Sequence, residues 1–212
     1  SLRRPDHRAL VCGRDGYGFS IGGNHLNHAA RKNINVTYII MDTFVYGLTK
    51  NQTSPTTPIG RRSKTDPNGS VDRPINPMMQ LLGSGATFIG RSHATHVKHM
   101  NEIFERAINH NGFSVVEVLS ECTVFYPGAF DAAIPRKGGE FNLIDEEEHD
   151  TTCINDAFEL AEPVRRLFDA ARKDLARMDA AVPIRERTMT RKEKELFHRD
   201  RGKLHQKLED LR

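Results

Sequence analysis

Four short apolar runs, separated by stretches of helical or irregular character, set the pattern of this chain. Residues 8–12 form the first, read as a short core strand entering the polar sequence Asp15-Gly16-Tyr17-Gly18. Residues 21–32 then place Leu26, Ala29 and Ala30 at helical spacing, which predicts a helix with that stripe toward a sheet. Residues 35–41 are rich in β-branched side chains and read as a buried strand. From 51 to 75 the periodicity stops, and Thr, Ser, Pro, Gly and charge predict a long surface loop. Asn76 followed by Pro77 is a helix start, and residues 78–82 with Gly83 complete a short helix. Residues 86–90 read as a third strand, and Val97, Met100, Phe104, Ala107 and Ile108 form one face of a helix ending near Asn111-Gly112. Residues 113–119 are a fourth strand, with Glu117 alternating out of its apolar pattern.

Strand, helix, strand in this order predicts an α/β fold, a mainly parallel sheet flanked by helices, with a helical C-terminal extension. In such sheets ligands collect beyond the carboxyl ends of the strands. Asp15 and the segment Asp42-Thr43-Phe44-Val45 both fall there. A carboxylate, a hydroxyl and a free carbonyl are hard oxygen ligands of the kind magnesium takes alongside phosphates. The residues alone leave two readings open, an ordinary Asp-Gly turn and a metal-phosphate site.

The order Asp15-Gly16, Ile21-Gly22-Gly23-Asn24-His25, Met41 through Lys50, then Gln52 and Ser54-Pro55-Thr56-Thr57 resembles the β subunit of 2-oxoacid:ferredoxin oxidoreductases, over about residues 8–131. That resemblance implies a thiamin diphosphate-binding domain over 1–130 and a linker with a charged helical extension over 131–212. It implies that Asp15, Thr43 and the Val45 carbonyl bind Mg²⁺, that Gly16, Tyr17, Gly47 and Leu48 line the diphosphate, and that Lys50 and Leu48 face the 2-oxoacid. It also makes Cys122 one ligand of a [4Fe–4S] cluster, whose other ligands lie in an upstream segment that relatives carry; the abrupt start at Ser1 reads as a truncation. The implied activity is coenzyme A-dependent oxidative decarboxylation of a 2-oxoacid, with electrons passed to ferredoxin and an α subunit completing the site, so that this chain alone is expected to be inactive. Departures are visible: Arg14 stands where relatives usually have glycine, Tyr17 where many have a second aspartate, Thr43 in place of asparagine, and Asn51 in place of glycine. A cation at 14 either strengthens or crowds a phosphate site. The departures keep two alternatives in view, a thiamin-fold subunit that no longer turns over and a phosphate-binding α/β domain unrelated to thiamin.

Composition narrows the picture further. With 212 residues, 37% of them hydrophobic, the chain can bury one α/β core with appendages. A formal charge of +3 built from mixed signs describes a solvated surface rather than a nucleic-acid footprint, and no apolar run is long enough to predict a membrane span. Three widely spaced cysteines, Cys12, Cys122 and Cys153, fit a reducing cytoplasm rather than a disulfide framework. Arg61, Arg62 and Lys64 are either solvated or a dock for an anionic cosubstrate or partner. His93, His96 and His99 are read as surface histidines rather than zinc ligands, because no second ligand cluster accompanies them. Beyond a basic turn at 135–139 and an acidic run at 145–150, two helices are expected: one from Pro163 carrying Val164, Leu167, Phe168, Ala171, Leu175 and Met178, and one opening at Thr190 with Phe197, Leu204, Leu208 and Leu211.

Overall fold

The computed structural model describes residues 8–141, 143, 150 and 153–161. The two expected C-terminal helices, most of the acidic run and the first residues of the chain lie outside the described residues. Among the described residues, four strands, β1 (Ala9–Arg14), β2 (Val36–Asp42), β3 (Phe88–His93) and β4 (Phe113–Leu119), form a wholly parallel sheet in the order β1-β2-β4-β3. The described residues also form α1 (Gly23–Arg31), α2 (Pro77–Gly83), α3 (Val97–Asn109) and α4 (Ile154–Ala161). A π-helical turn at Tyr17–Ile21 precedes α1.

Alternation along the central strands builds one core on each side of the sheet. Tyr38 and Ile40 of β2, with Phe113 and Val115 of β4, meet Phe19, Leu26 and Ala30 around α1 and Leu81 of α2. Ile39, Val116 and Val118 point the other way and meet Ala107, Met100, Ile103 and Phe104 of α3. Val97 and Ile108, expected on that face, are exposed instead; Ile103 fills the stripe. The Asn76 cap forms as the sequence suggests, its Oδ1 accepting from the amides of Met78 and Met79 at 3.1 and 3.3 Å. Its Nδ2 donates to the Ala161 carbonyl at 2.6 Å, so one side chain caps the start of α2 and the end of α4.

Two expectations are corrected here. The first strand is no core strand: β1 lies at the sheet edge, with Leu10 and Val11 about half exposed and Cys12 exposed, because a short apolar run does not reveal which faces are covered. The 51–75 segment is not a surface loop, since Ser54, Thr56, Thr57, Ile59 and Ser70 are all buried, and hydroxyl hydrogen bonds hold Thr56 and Thr57 in place. Ahead of the helix expected from Pro163, which lies outside the described residues, α4 is a helix the sequence reading did not include, with Ile154, Ala157, Phe158 and Ala161 recurring at helical spacing.

The register carries the functional consequence. Arg14 pairs with Met41, Asp42 with Leu119, and Arg91 with Glu117, so β1, β2 and β4 end side by side. Asp15 follows β1 directly and Thr43 follows β2 directly, which puts both at one edge of the sheet. No helix of the described residues is long and apolar enough to cross a membrane.

Candidate functional site

Asp15 is fully buried where β1 gives way to the turn. Its Oδ1 accepts from the Thr43 amide at 3.2 Å and lies 3.1 Å from Thr43 Oγ1, which in turn is 3.0 Å from the Val45 carbonyl oxygen. Its Oδ2 lies 3.1 Å from Thr56 Oγ1, and that hydroxyl is also 2.8 Å from Asp42 Oδ1. A hydroxyl carries one proton, so Thr43 and Thr56 together supply two protons for four acceptor contacts. The cluster is rich in oxygen and poor in hydrogen, the condition under which a hard cation fits. Among the described residues, no three or more His, Cys, Asp and Glu side chains gather closely enough to hold a metal by themselves. A cation here would draw on one carboxylate, a hydroxyl and a carbonyl, and would need further oxygens from a ligand or water.

The turn after β2 is shaped for this. Phe44 sits in the left-handed region at φ 56°, its amide donating to Asp42 Oδ1 at 3.0 Å and its carbonyl accepting from Thr57 Oγ1 at 2.7 Å. Its ring packs on Phe130 with centroids 4.4 Å apart. Thr57 Oγ1 also accepts from the Ser54 amide at 2.7 Å, so the Ser-Pro-Thr-Thr stretch buttresses the turn from beneath. Thr56 and Thr57 were legible as part of a motif but not as partners of Asp15 and Phe44; hydroxyls at a fixed distance after a strand were the available signal.

Behind the turn lie two further acids. Glu117, though it alternates out of the apolar pattern of β4, is buried and paired with Arg91. Asp42 is fully buried; burial first, then the neighbouring Glu117 and Asp15 carboxylates, push its pKa well above the usual carboxylate range. Asp42 Oδ2 receives no donor among the described residues, and a carboxyl–carboxyl hydrogen bond with Glu117 adds to the repulsion that favours the protonated form of Asp42.

The remaining predicted residues divide in two. Gly16 belongs to the buried junction: Tyr46 donates its hydroxyl to the Gly16 carbonyl at 2.9 Å, and a β-carbon at 16 would lie 2.3 Å from the Tyr46 ring. Glycine at 16 therefore admits an aromatic ring. Tyr17 and Leu48, by contrast, are 67% and 93% exposed, and Lys50 is exposed at φ 67° beside Asn51 at φ 71°. The left-handed backbone at Asn51 explains a preference for glycine there. The turn closes on itself through Tyr46 and Gln52, the Tyr46 amide donating to the Gln52 carbonyl at 2.9 Å.

Cys122 follows β4 and opens a short hairpin to Tyr126. Its sulfur comes close to Gly47, whereas no cluster of cysteines gathers around it among the described residues. Arg61 is neither solvated nor a free dock: its guanidinium lies 4.2 Å over the Tyr126 ring and donates to the Phe125 carbonyl at 2.6 Å, pinning the 51–75 segment to this hairpin.

One of the three histidines departs from the surface reading. His93 is buried at the end of β3, not on the surface. Its Nδ1 accepts from the Thr95 amide at 3.1 Å, which places the neutral ring's proton on Nε2 and makes that nitrogen a donor, not a metal ligand.

Comparison with known proteins adds what geometry alone leaves open. A sequence profile described as "Thiamine pyrophosphate enzyme, C-terminal TPP binding domain" matches residues 1–118. The chain belongs to this thiamine pyrophosphate enzyme family. Within the family it is 43% identical over 144 residues to a 2-oxoglutarate oxidoreductase subunit KorB of Mycobacterium tuberculosis, covering 68% of this chain and 38% of that protein. It is 39% identical over 124 residues to a 2-oxoacid:ferredoxin oxidoreductase subunit beta of Saccharolobus solfataricus, covering 58% and 41%. Among solved structures it superimposes, with a TM-score of 0.70 and 38% identity, on a 2-oxoglutarate:ferredoxin oxidoreductase from Magnetococcus marinus with 2-oxoglutarate, coenzyme A and succinyl-CoA bound, covering 76% of this chain and 54% of that one. The family member described here spans about two fifths of the length of the two curated relatives.

Proposed function

We propose that this chain is the cofactor-binding part of the β subunit of a 2-oxoacid:ferredoxin oxidoreductase. The observation that supports it is the oxygen cluster of Asp15, Thr43 and Val45, short of protons and set at the carboxyl edge of a parallel sheet. In this reading Asp15, Thr43 Oγ1 and the Val45 carbonyl hold Mg²⁺, and diphosphate oxygens complete its shell. Backbone at Gly16, Tyr17, Gly47 and Leu48 lines the diphosphate. The cofactor, when bound, supplies the carbanion chemistry that releases carbon dioxide from a 2-oxoacid.

This chain's own groups do the rest by position and charge. Thr56 and the Asp42 carboxyl keep the Asp15 carboxylate in one orientation. Lys50, beside the exposed Leu48, attracts the carboxylate of the 2-oxoacid and leaves the far wall of that pocket to an α subunit. Cys122 contributes one thiolate to a [4Fe–4S] cluster through which electrons leave toward ferredoxin, coenzyme A taking the acyl group. Residues 1–130 form the cofactor domain, and 131–212 an extension whose described part is fastened through Asn76 and Ala161.

Isothermal titration of the chain with thiamine pyrophosphate tests the reading. Saturable binding that needs Mg²⁺, and that Asp15→Asn weakens by about a hundredfold, is the expected result. Binding of another nucleotide in its place, with none of thiamine pyrophosphate, would overturn it.

A further inference from the structure

Arg14 closes β1 one residue before Asp15 and lies in the parallel register opposite Met41. It is absent from the residues with left-handed backbone, so the strand accommodates a β-carbon there without strain. Its guanidinium reaches the turn that follows β2. A β-carbon added to Gly47 would lie 3.3 Å from Arg14 Nη1 and 3.5 Å from Cys122 Sγ. Two consequences follow from that single position. The glycine at 47 lets the Arg14 guanidinium and the Cys122 sulfur approach the turn, and a side chain there would press first on the cation. The charge balance at this end of the sheet points the same way. The metal cluster contributes the Asp15 carboxylate, and its other groups are neutral hydroxyl and carbonyl oxygens. A diphosphate bound there with one divalent ion leaves net negative charge beside a buried carboxylate. A guanidinium fork at Gly47 can answer that charge with paired N–H donors.

We propose that Arg14 is a diphosphate-binding residue, its guanidinium bridging the space over Gly47 between the pyrophosphate oxygens and the Cys122 side of the site. The inference rests on the cofactor reading above and settles the choice between strengthening and crowding in favour of strengthening. The ligand class is an inorganic or organic diphosphate with its divalent ion, recognised without regard to the thiazolium end.

The test is calorimetric titration of the 212-residue chain with inorganic pyrophosphate and Mg²⁺, and separately with thiamine pyrophosphate and Mg²⁺. Arg14→Gln, which keeps length and removes charge, is expected to weaken pyrophosphate binding about tenfold, with the difference shrinking at high salt, while Arg14→Lys recovers part of it. Gly47→Ala, at a position without positive φ, crowds the guanidinium; it should weaken binding in the parent and add little once Arg14 is already Gln. Circular dichroism of each variant confirms that the sheet is intact. Binding by Arg14→Gln within about twofold of the parent at low salt, or tighter than it, overturns the inference while leaving the cofactor reading standing. Failure of the parent to bind either ligand overturns the cofactor reading itself, and the role of Arg14 with it.

Discussion

The two turns that leave β1 and β2 differ from the turn immediately after them. At Asp15, Thr43 and Thr56 every polar group is buried and held by a partner two, fourteen, twenty-eight or forty-one positions away in the chain. At Leu48 and Lys50, only a few residues further on, side chains stand in solvent on left-handed or freely exposed backbone. The first region is preorganised by the sheet register. The second is held by its own short-range hydrogen bonds, and the proposed substrate contact there needs nothing more rigid. A site for a divalent ion needs fixed oxygens, whereas a substrate loop completed by another subunit does not.

The contrast can be broken at Gly16 first. Gly16→Ala forces a methyl into the Tyr46 ring, whose hydroxyl is already committed to the Gly16 carbonyl, and should cost about 2–3 kcal/mol in chemical denaturation. A change within the error of the measurement would mean the junction is not rigid. Thr56→Val comes next. It strips one donor from two buried carboxyl groups and is expected to cost about 1–3 kcal/mol, read as a lowered urea midpoint.

His93 sharpens the comparison through pH. Burial lowers its pKa, His96 and Lys137 lower it further, and Glu121 opposes them. The unfolded chain therefore binds a proton that the folded chain refuses, so stability is full above the ordinary imidazole range and is lost as pH falls through it toward the lowered folded value. The fall in melting temperature between about pH 7.5 and about pH 5.5 should shrink in His93→Gln. An unchanged fall would assign the acid sensitivity elsewhere. The smallest effect is expected at Leu48, where Leu48→Ser should move stability by less than about 0.5 kcal/mol. A large loss there would show that the exposed turn is part of the core after all.

Much of this was legible before the fold was known. The β-branched run of β2, the alternating β4 and the Asn76-Pro77 start of α2 are local signals, and they placed these elements to within a residue or two. Local signals fail where a neighbour decides. β3 extends through Arg91, Ser92 and His93, which look nothing like a strand until Glu117 on β4 pairs with Arg91 and the sheet buries the other two. β1 reads as core because its residues are apolar, yet nothing among the described residues covers them. At the site, Asp15 and Thr43 stood out through their place after strands and through family resemblance. The Thr56 bridge and the raised Asp42 carboxyl depend on contacts across the sheet edge that no spacing encodes.

The central claim concerns one ion. Crystals of the chain grown with thiamine pyrophosphate and Mn²⁺ in place of Mg²⁺ would locate it by anomalous scattering. The account predicts a single strong peak bounded by the Asp15 carboxylate, Thr43 Oγ1 and the Val45 carbonyl, with diphosphate oxygens on its open side. A bound cofactor whose diphosphate carries its metal away from Asp15 would contradict it.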